Sequence, residues 1–170
     1  MPLKPGPNGT FRMYSSVDGR YCKMSFEQLE LLKKSKKVKP TKEERRIRRT
    51  KYLRDKALYS KDPGLYEVFD FLEKRIPHYV QYVNQSLYIP SDQRCHETDI
   101  IGKNAIIEIK MGRKGKVIKQ LILQKEVADR RHLKMIVYAP NLPYNARQEI
   151  KRRGIIAVRN KEELFQEIKK

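Results

Sequence analysis

Apolar and polar positions change texture twice along the chain. Over 1–24, Pro2, Pro5, Pro7, Gly6, Gly9 and Gly19 break any periodicity, so the stretch reads as an arm with no more than a short hairpin around Val17-Asp18-Gly19-Arg20. Ser25 followed by Gln28, with Leu29, Leu31 and Leu32 behind, is a capping-box start for a short helix that Pro40 closes off. Residues 41–59 predict a second helix. Glu43 and Glu44 stand in its first turn, and its apolar positions, Ile47, Leu53, Ala57 and Leu58, are sparse.

A denser pattern begins at Asp62-Pro63-Gly64, a turn and helix start. Leu65, Val68, Phe69 and Leu72 then recur at the 3-and-4 spacing of an amphipathic helix, which Pro77 stops. Short runs rich in Tyr, Val and Ile at 79–83 and 86–89 predict strands. Two more strands, 97–101 and 105–110, flank the tight turn Gly102-Lys103-Asn104. Val117, Ile118, Leu121, Ile122 and Ala128 trace a helix over 117–131. It is followed by a strand at 133–139, a helix at 144–153, a strand at 154–158 and a last helix at 161–169 capped by Asn160. Strands alternating with helices imply βαβ crossovers and an α/β fold with a partly parallel sheet. With 39% hydrophobic residues in 170, the chain can build one core domain, here expected over 61–170, carrying a basic extension over 1–60.

Charge changes the picture next. There are 39 Lys and Arg against 20 Asp and Glu, a formal balance of +19, and nucleic acid is the commonest polyanion to neutralise it. The basic residues spread through the chain instead of opposing one apolar helix face, which argues against a membrane surface. No apolar run approaches the roughly 18 residues of a bilayer span, and the first residues lack the apolar stretch of a signal peptide. A soluble cytoplasmic protein is expected. Cys22 and Cys95 are too few for a disulfide framework, and Cys95, His96, His78 and His132 lack zinc-ligand spacing. On the helix at 41–59, Arg45, Arg46 and Arg49 are candidate phosphate contacts, as are Arg113, Lys114 and Lys116 in the loop after the second strand of the hairpin. Such contacts confer affinity and salt dependence, not base readout.

The candidate chemistry lies in residues 97–110. Period-two alternation puts Glu108 and Lys110 on one face of their strand and Ile107 and Ile109 on the other, while the turn returns Asp99 to a position opposite Ile107 or Glu108. Two neighbouring carboxylates on a covered strand repel and are poorly solvated. A divalent cation relieves both penalties, and Mg²⁺ in particular is held by one or two carboxylates plus waters and phosphate oxygens. A lysine two residues on can orient a water or offset charge on phosphorus.

The Asp99, Glu108 and Lys110 pattern, placed on a hairpin between two amphipathic helices, resembles the PD-(D/E)XK nuclease superfamily over about residues 62–140. The resemblance implies a restriction-endonuclease-like mixed sheet in the order helix, three antiparallel strands, helix, strand. It implies Mg²⁺ or Mn²⁺ on Asp99, Glu108 and the carbonyl of Ile109, with Lys110 positioning the attacking water. Many members add an acid on the first core helix, here Glu67 in preference to Glu73, and a Gln on the helix after the Lys, here Gln120 in preference to Gln124. The chain departs from the family pattern in having Thr98, not Pro, before the first carboxylate. The implied activity is that of a DNA endonuclease of bacterial, phage or mobile-element origin, with a homodimer where both strands are cut. The alternatives are an RNA- or tRNA-cleaving toxin domain, which would need a neutralising immunity protein, and a nucleic-acid-binding module without catalysis.

Overall fold

The computed structural model describes residues 4–5, 11–14, 21–24, 40–62, 64–112 and 118–170. The chain divides into two units, Met1–Lys42 and Glu43–Lys170. In the first, β1 (Lys4–Pro5), β2 (Phe11–Tyr14) and β3 (Tyr21–Met24) form an antiparallel sheet in that order. Phe11 pairs with Met24 and Tyr14 with Tyr21, so strands flank the hairpin signal and the stretch is more than an arm. The strands, two to four residues long, are too short to show a period. The capping-box helix from Ser25 lies outside the described residues.

The second unit holds α1 (Lys42–Leu58) from its second residue on, then α2 (Leu65–Arg75), β4 (Val80–Ile89), β5 (Arg94–Gly102), β6 (Ala105–Ile109), α3 (Ile118–Arg130), β7 (Lys134–Tyr138), α4 (Tyr144–Arg152), β8 (Ile156–Val158) and α5 (Lys161–Lys169). Its five strands form one sheet in chain order. β4, β5 and β6 are antiparallel, and β6, β7 and β8 are parallel, giving the α/β mixed sheet expected from alternating strands and helices. The Asn160 side chain caps α5 by accepting the Glu163 N–H at 2.8 Å. Among the described residues no helix is long and apolar enough to cross a membrane.

Every residue of β6 is buried, because helices cover both faces of the sheet. Alternate side chains enter different cores. Ile107 and Ile109 join Leu65, Val68, Phe69 and Leu72 of α2 and Leu164 and Ile168 of α5. Ile106 joins Leu121, Val127 and Ala128 of α3 and Ile150 of α4. Each fully buried Leu or Ile contributes roughly 1.5–3 kcal/mol by leaving water, so the two-sided packing fixes the register of β6 and with it the position of Glu108.

Helix α1 adds Leu53 and Ala57 to the first of these cores, which places it with the sheet although the sequence pattern sets the break near residue 60. Its other apolar positions, Ile47 and Leu58, are exposed. Strand β4 is continuous where the sequence suggests two short runs. Val80 and Val83 face one core and Leu87 and Ile89 the other, which strict alternation forbids for positions 83 and 87. Between them Asn84 adopts a left-handed φ of 46°, and the strand changes face there. Gly64, at φ 83°, starts α2 where a Cβ would stand 2.9 Å from the Met111 sulfur.

Candidate active site

β5 and β6 pair at Ile101↔Ile106 and Ile100↔Ile107, and there their ladder stops. Beyond it β5 stays with β4, pairing Thr98 with Gln85, while β6 stays with β7, pairing Glu108 with Val137 and Ile109 with Tyr138. Continuing the register sets Asp99 opposite Glu108, which selects between the two positions the sequence allows. The Asp99 carboxylate fills the opening: its Oδ2 accepts the Ile109 N–H at 2.6 Å, the bond that a continued β5 backbone would have taken.

Asp99 is 7% exposed and Glu108 1%. Glu108 Oε1 accepts Lys110 Nζ at 2.6 Å and Gln120 Nε2 at 3.1 Å, and its Oε2 accepts Gln124 Nε2 at 3.0 Å. Gln120 and Gln124 are four residues apart on α3 and so share one helix face, which lies over β6. Gln124 Nε2 also donates to the Glu97 carbonyl at 3.0 Å, tying β5 to the same helix across the opening. Glu108 is therefore held by one ammonium and two amides, whereas among the described residues Asp99 accepts one backbone N–H.

The proton affinity of Asp99 is pushed up to about 7, by burial first and by the charge of Glu108 second. The Ile109 N–H and Lys110 pull it down, and Asp62 adds a smaller upward push. Asp62 stands in the turn before α2, where its Oδ2 accepts the Ser60 hydroxyl at 3.0 Å. Ser60 Oγ in turn accepts Asn84 Nδ2 at 3.0 Å, and Lys56 Nζ donates to the Asn84 carbonyl at 3.0 Å. The end of α1 and the turn after it thus brace the β4 residue that lies across from Asp99.

Four buried side-chain atoms among the described residues have no hydrogen-bond partner, and three of them belong to this neighbourhood: Asn84 Oδ1, Thr98 Oγ1 and Gln124 Oε1. Folded proteins rarely leave such atoms unpaired, and Gln124 Oε1 belongs to the side chain that already bonds Glu108. The oxygens of Asp99 and Glu108 are hard donors suited in kind to Mg²⁺, which retains its own waters. Among the described residues no three His, Cys, Asp or Glu side chains converge to enclose a cation, so the donor set fits an ion completed by water and phosphate and not one enclosed by protein.

The structure brings Asp99, Glu108, Ile109, Lys110 and Gln120 together and adds Gln124. It does not bring Glu67, which lies on the exposed side of α2 and pairs with Lys161 at 3.3 Å. Glu73 accepts the backbone N–H groups of His78 and Val80 and so holds the turn into β4. The acid near the start of α2 whose charge reaches Asp99 is Asp62, which the sequence shows only as a turn residue. Arg45, Arg46 and Arg49 lie on the exposed surface of α1. Arg46 pairs with Glu43 at 3.8 Å, and Arg49 is engaged with β4, donating to the Gln81 carbonyl at 2.8 Å and covering the Tyr82 ring at 5.6 Å. Arg113, Lys114 and Lys116 lie outside the described residues. His96 pairs with Asp92, not with a metal-ligand set, and Cys95 is a free, exposed thiol. Comparison of the chain with protein-family models, with curated proteins and with solved structures finds no match.

Proposed function

We propose that the chain is a metal-dependent nuclease that hydrolyses phosphodiester bonds in DNA, with a restriction-endonuclease-like core. The observation that carries the reading is the convergence of Asp99, Glu108 and Lys110 where β5 and β6 part, two carboxylates and an amine gathered at the end of a buried strand. The order α2, then β4, β5 and β6, then α3 and β7 supports it, being the order of elements that the superfamily resemblance implies. The raised proton affinity of Asp99 supports it too, since perturbed carboxyls concentrate at working sites.

In this reading Asp99, Glu108 and the Ile109 carbonyl hold Mg²⁺ or Mn²⁺, which supplies Lewis-acid charge to a phosphoryl oxygen and acidifies water. Gln120 and Gln124 fix the rotamer of Glu108. Lys110 is the partly exposed member, and its ammonium is placed to orient a water or to offset charge on the phosphate. The excess of basic residues, with Arg45 and Arg46 on α1, supplies backbone attraction.

One observation favours a second reading, a binding module without catalysis: Glu108 already spends its oxygens on three donors. Incubating wild type and Lys110→Ala with supercoiled plasmid, linear duplex, junction DNA and total RNA, in Mg²⁺, Mn²⁺ or EDTA, separates the two. Metal-dependent cleavage that the variant loses is the expected result, and the substrate cut names the class. Binding to all substrates with cleavage of none rejects the enzyme and leaves the binding module.

A further inference from the structure

A second polar site lies two strands away. α4, the turn after β8 and the start of α5 enclose a pocket of about 310 Å³ lined by Tyr144, Arg147, Gln148, Lys151, Ala157, Arg159 and Glu163. Arg147 is its central feature. The residue is only 9% exposed, and among the described residues its buried Nε has no partner and no carboxylate pairs with its guanidinium. A buried arginine normally has its charge matched, because desolvating it unpaired is costly. Lys151 and Arg159 add two cations at exposed positions of the same wall.

Among the described residues Glu163 is the one carboxylate lining the pocket, and it bonds the start of its own helix. Its Oε2 accepts the Arg159 backbone N–H at 2.8 Å and its Oε1 accepts Asn160 Nδ2 at 3.1 Å, both at the start of α5. Three cations therefore line the pocket with one acid, so positive charge predominates there. Arg147 with its planar fork, a second arginine, a lysine and the Gln148 amide form a donor set for a tetrahedral oxyanion. At 62% exposure, the Tyr144 ring is a platform for a base beside it.

The topology sets this pocket beside the Asp99 site. β6, β7 and β8 run parallel, so Lys110 after β6, Tyr144 after β7 and Arg159 after β8 all emerge at the same end of the sheet. From β6 to β8 is two strand spacings, about 10 Å, or roughly three rises of a nucleic-acid strand at ~3.4 Å each. We propose that this pocket binds a phosphate group, supplied either by a nucleic-acid strand held at the Asp99 site or by a free nucleotide. The choice of nucleic-acid probes rests on the nuclease reading, while the pocket itself stands on the Arg147 environment.

The test uses the full chain in EDTA at about 0.15 M salt, where phosphate contacts are already weakened by counterions. The probes are one 12-nucleotide single strand with a 5′-phosphate, the same strand with a 5′-hydroxyl, and deoxyadenosine monophosphate. Arg147→Gln and Arg159→Ala are compared with Lys103→Ala, which removes the same charge at the opposite end of the sheet. Each pocket variant should weaken at least one probe about tenfold or more, against less than about threefold for Lys103→Ala. Equal loss on both strands assigns an internal phosphodiester, loss on the phosphorylated strand alone a terminal phosphate, and loss on the mononucleotide alone a free nucleotide. Losses no greater than that of Lys103→Ala on every probe overturn the proposal. Should Arg147→Gln fail to fold, Arg159→Ala and Lys151→Ala carry the same comparison from exposed positions. Because binding is read without metal, a chain that binds in this way but cuts nothing loses only the nuclease reading, and one that cuts while these variants match Lys103→Ala loses only the pocket.

Discussion

The Asp99 carboxylate takes the Ile109 backbone N–H at 2.6 Å across the gap where β5 leaves β6. One side chain thus closes a ladder that the backbone leaves open, and it stands beside the buried carboxylate of Glu108 while doing so. The hydrogen bond needs only an acceptor oxygen. The charge of Asp99 is a separate matter, and its cost is measurable.

Burial and Glu108 raise the Asp99 proton affinity from 3.8 to about 7. A carboxyl whose affinity is raised on folding stabilises the fold while protonated, and that stability falls as pH climbs from about 4 through about 7. The gap caps the effect at roughly 4 kcal/mol. Asp99→Asn keeps an acceptor for Ile109 and removes the charge. In the absence of divalent ions its Tm should exceed that of wild type by a margin small near pH 4.5, growing to pH 8 and flat beyond. A margin that does not change with pH would show that Asp99 ionises freely in the fold.

A cation bound between Asp99 and Glu108 should reverse that instability. At pH 8, millimolar Mg²⁺ or Mn²⁺ should raise the Tm of wild type by the equivalent of about 1–3 kcal/mol through mass action. Neither ion should shift Asp99→Asn or Glu108→Gln appreciably. Equal shifts in all three proteins, followed by thermal melts across a metal titration, would place the ion elsewhere.

Gln124 and Gln120 both donate to Glu108, but only Gln124 is fully buried and also bonded to the Glu97 carbonyl. Gln124→Leu removes both bonds and leaves Glu108 short of a donor, a loss of about 1–3 kcal/mol. Gln120→Ala, at a partly exposed position, should cost less than about 1 kcal/mol. Urea melts at constant m-value would rank them, and equal costs would show that the Gln124 bonds contribute nothing beyond those of Gln120.

Much of this was legible in the sequence because β6 and the helices around it follow simple periods. Alternation along 105–110 places Glu108 and Lys110 together, and the 3-and-4 spacing of Leu65, Val68, Phe69 and Leu72 marks the inner face of α2. The parts that escaped depend on through-space relations. Asn84 reverses the face of β4 by a left-handed residue, which splits the apolar pattern into two apparent strands. Asp62 acts on Asp99 across the sheet edge from within a turn, and a turn carries no period that would place its side chain. Glu67 and Asp62 are both acids near the start of α2, and only folding decides which one's charge reaches Asp99. Arg147 has the sequence context of an ordinary exposed helix cation, and its burial follows from the way α4 lies against β8.

Two exposed arginines of α1, Arg49 and Arg46, differ in a way that one pair of experiments separates. Arg49 is spent on the protein, donating to Gln81 and lying over Tyr82, so it holds α1 against β4. Arg46 has only a loose pair with Glu43, half exposed on both sides, which contributes next to nothing to stability. Arg49→Ala should therefore lower the Tm, by the equivalent of about 1 kcal/mol for a lost hydrogen bond and cation–π contact. Arg46→Ala should leave the Tm unchanged and weaken duplex DNA binding by a similar factor for every sequence, lowering the slope of log K against log salt by about 1. Binding isotherms from 50 to 300 mM salt on two unrelated duplexes would decide it. A Tm loss in Arg46→Ala with an unchanged salt slope would remove α1 from the nucleic-acid surface and leave it a helix that serves the fold alone.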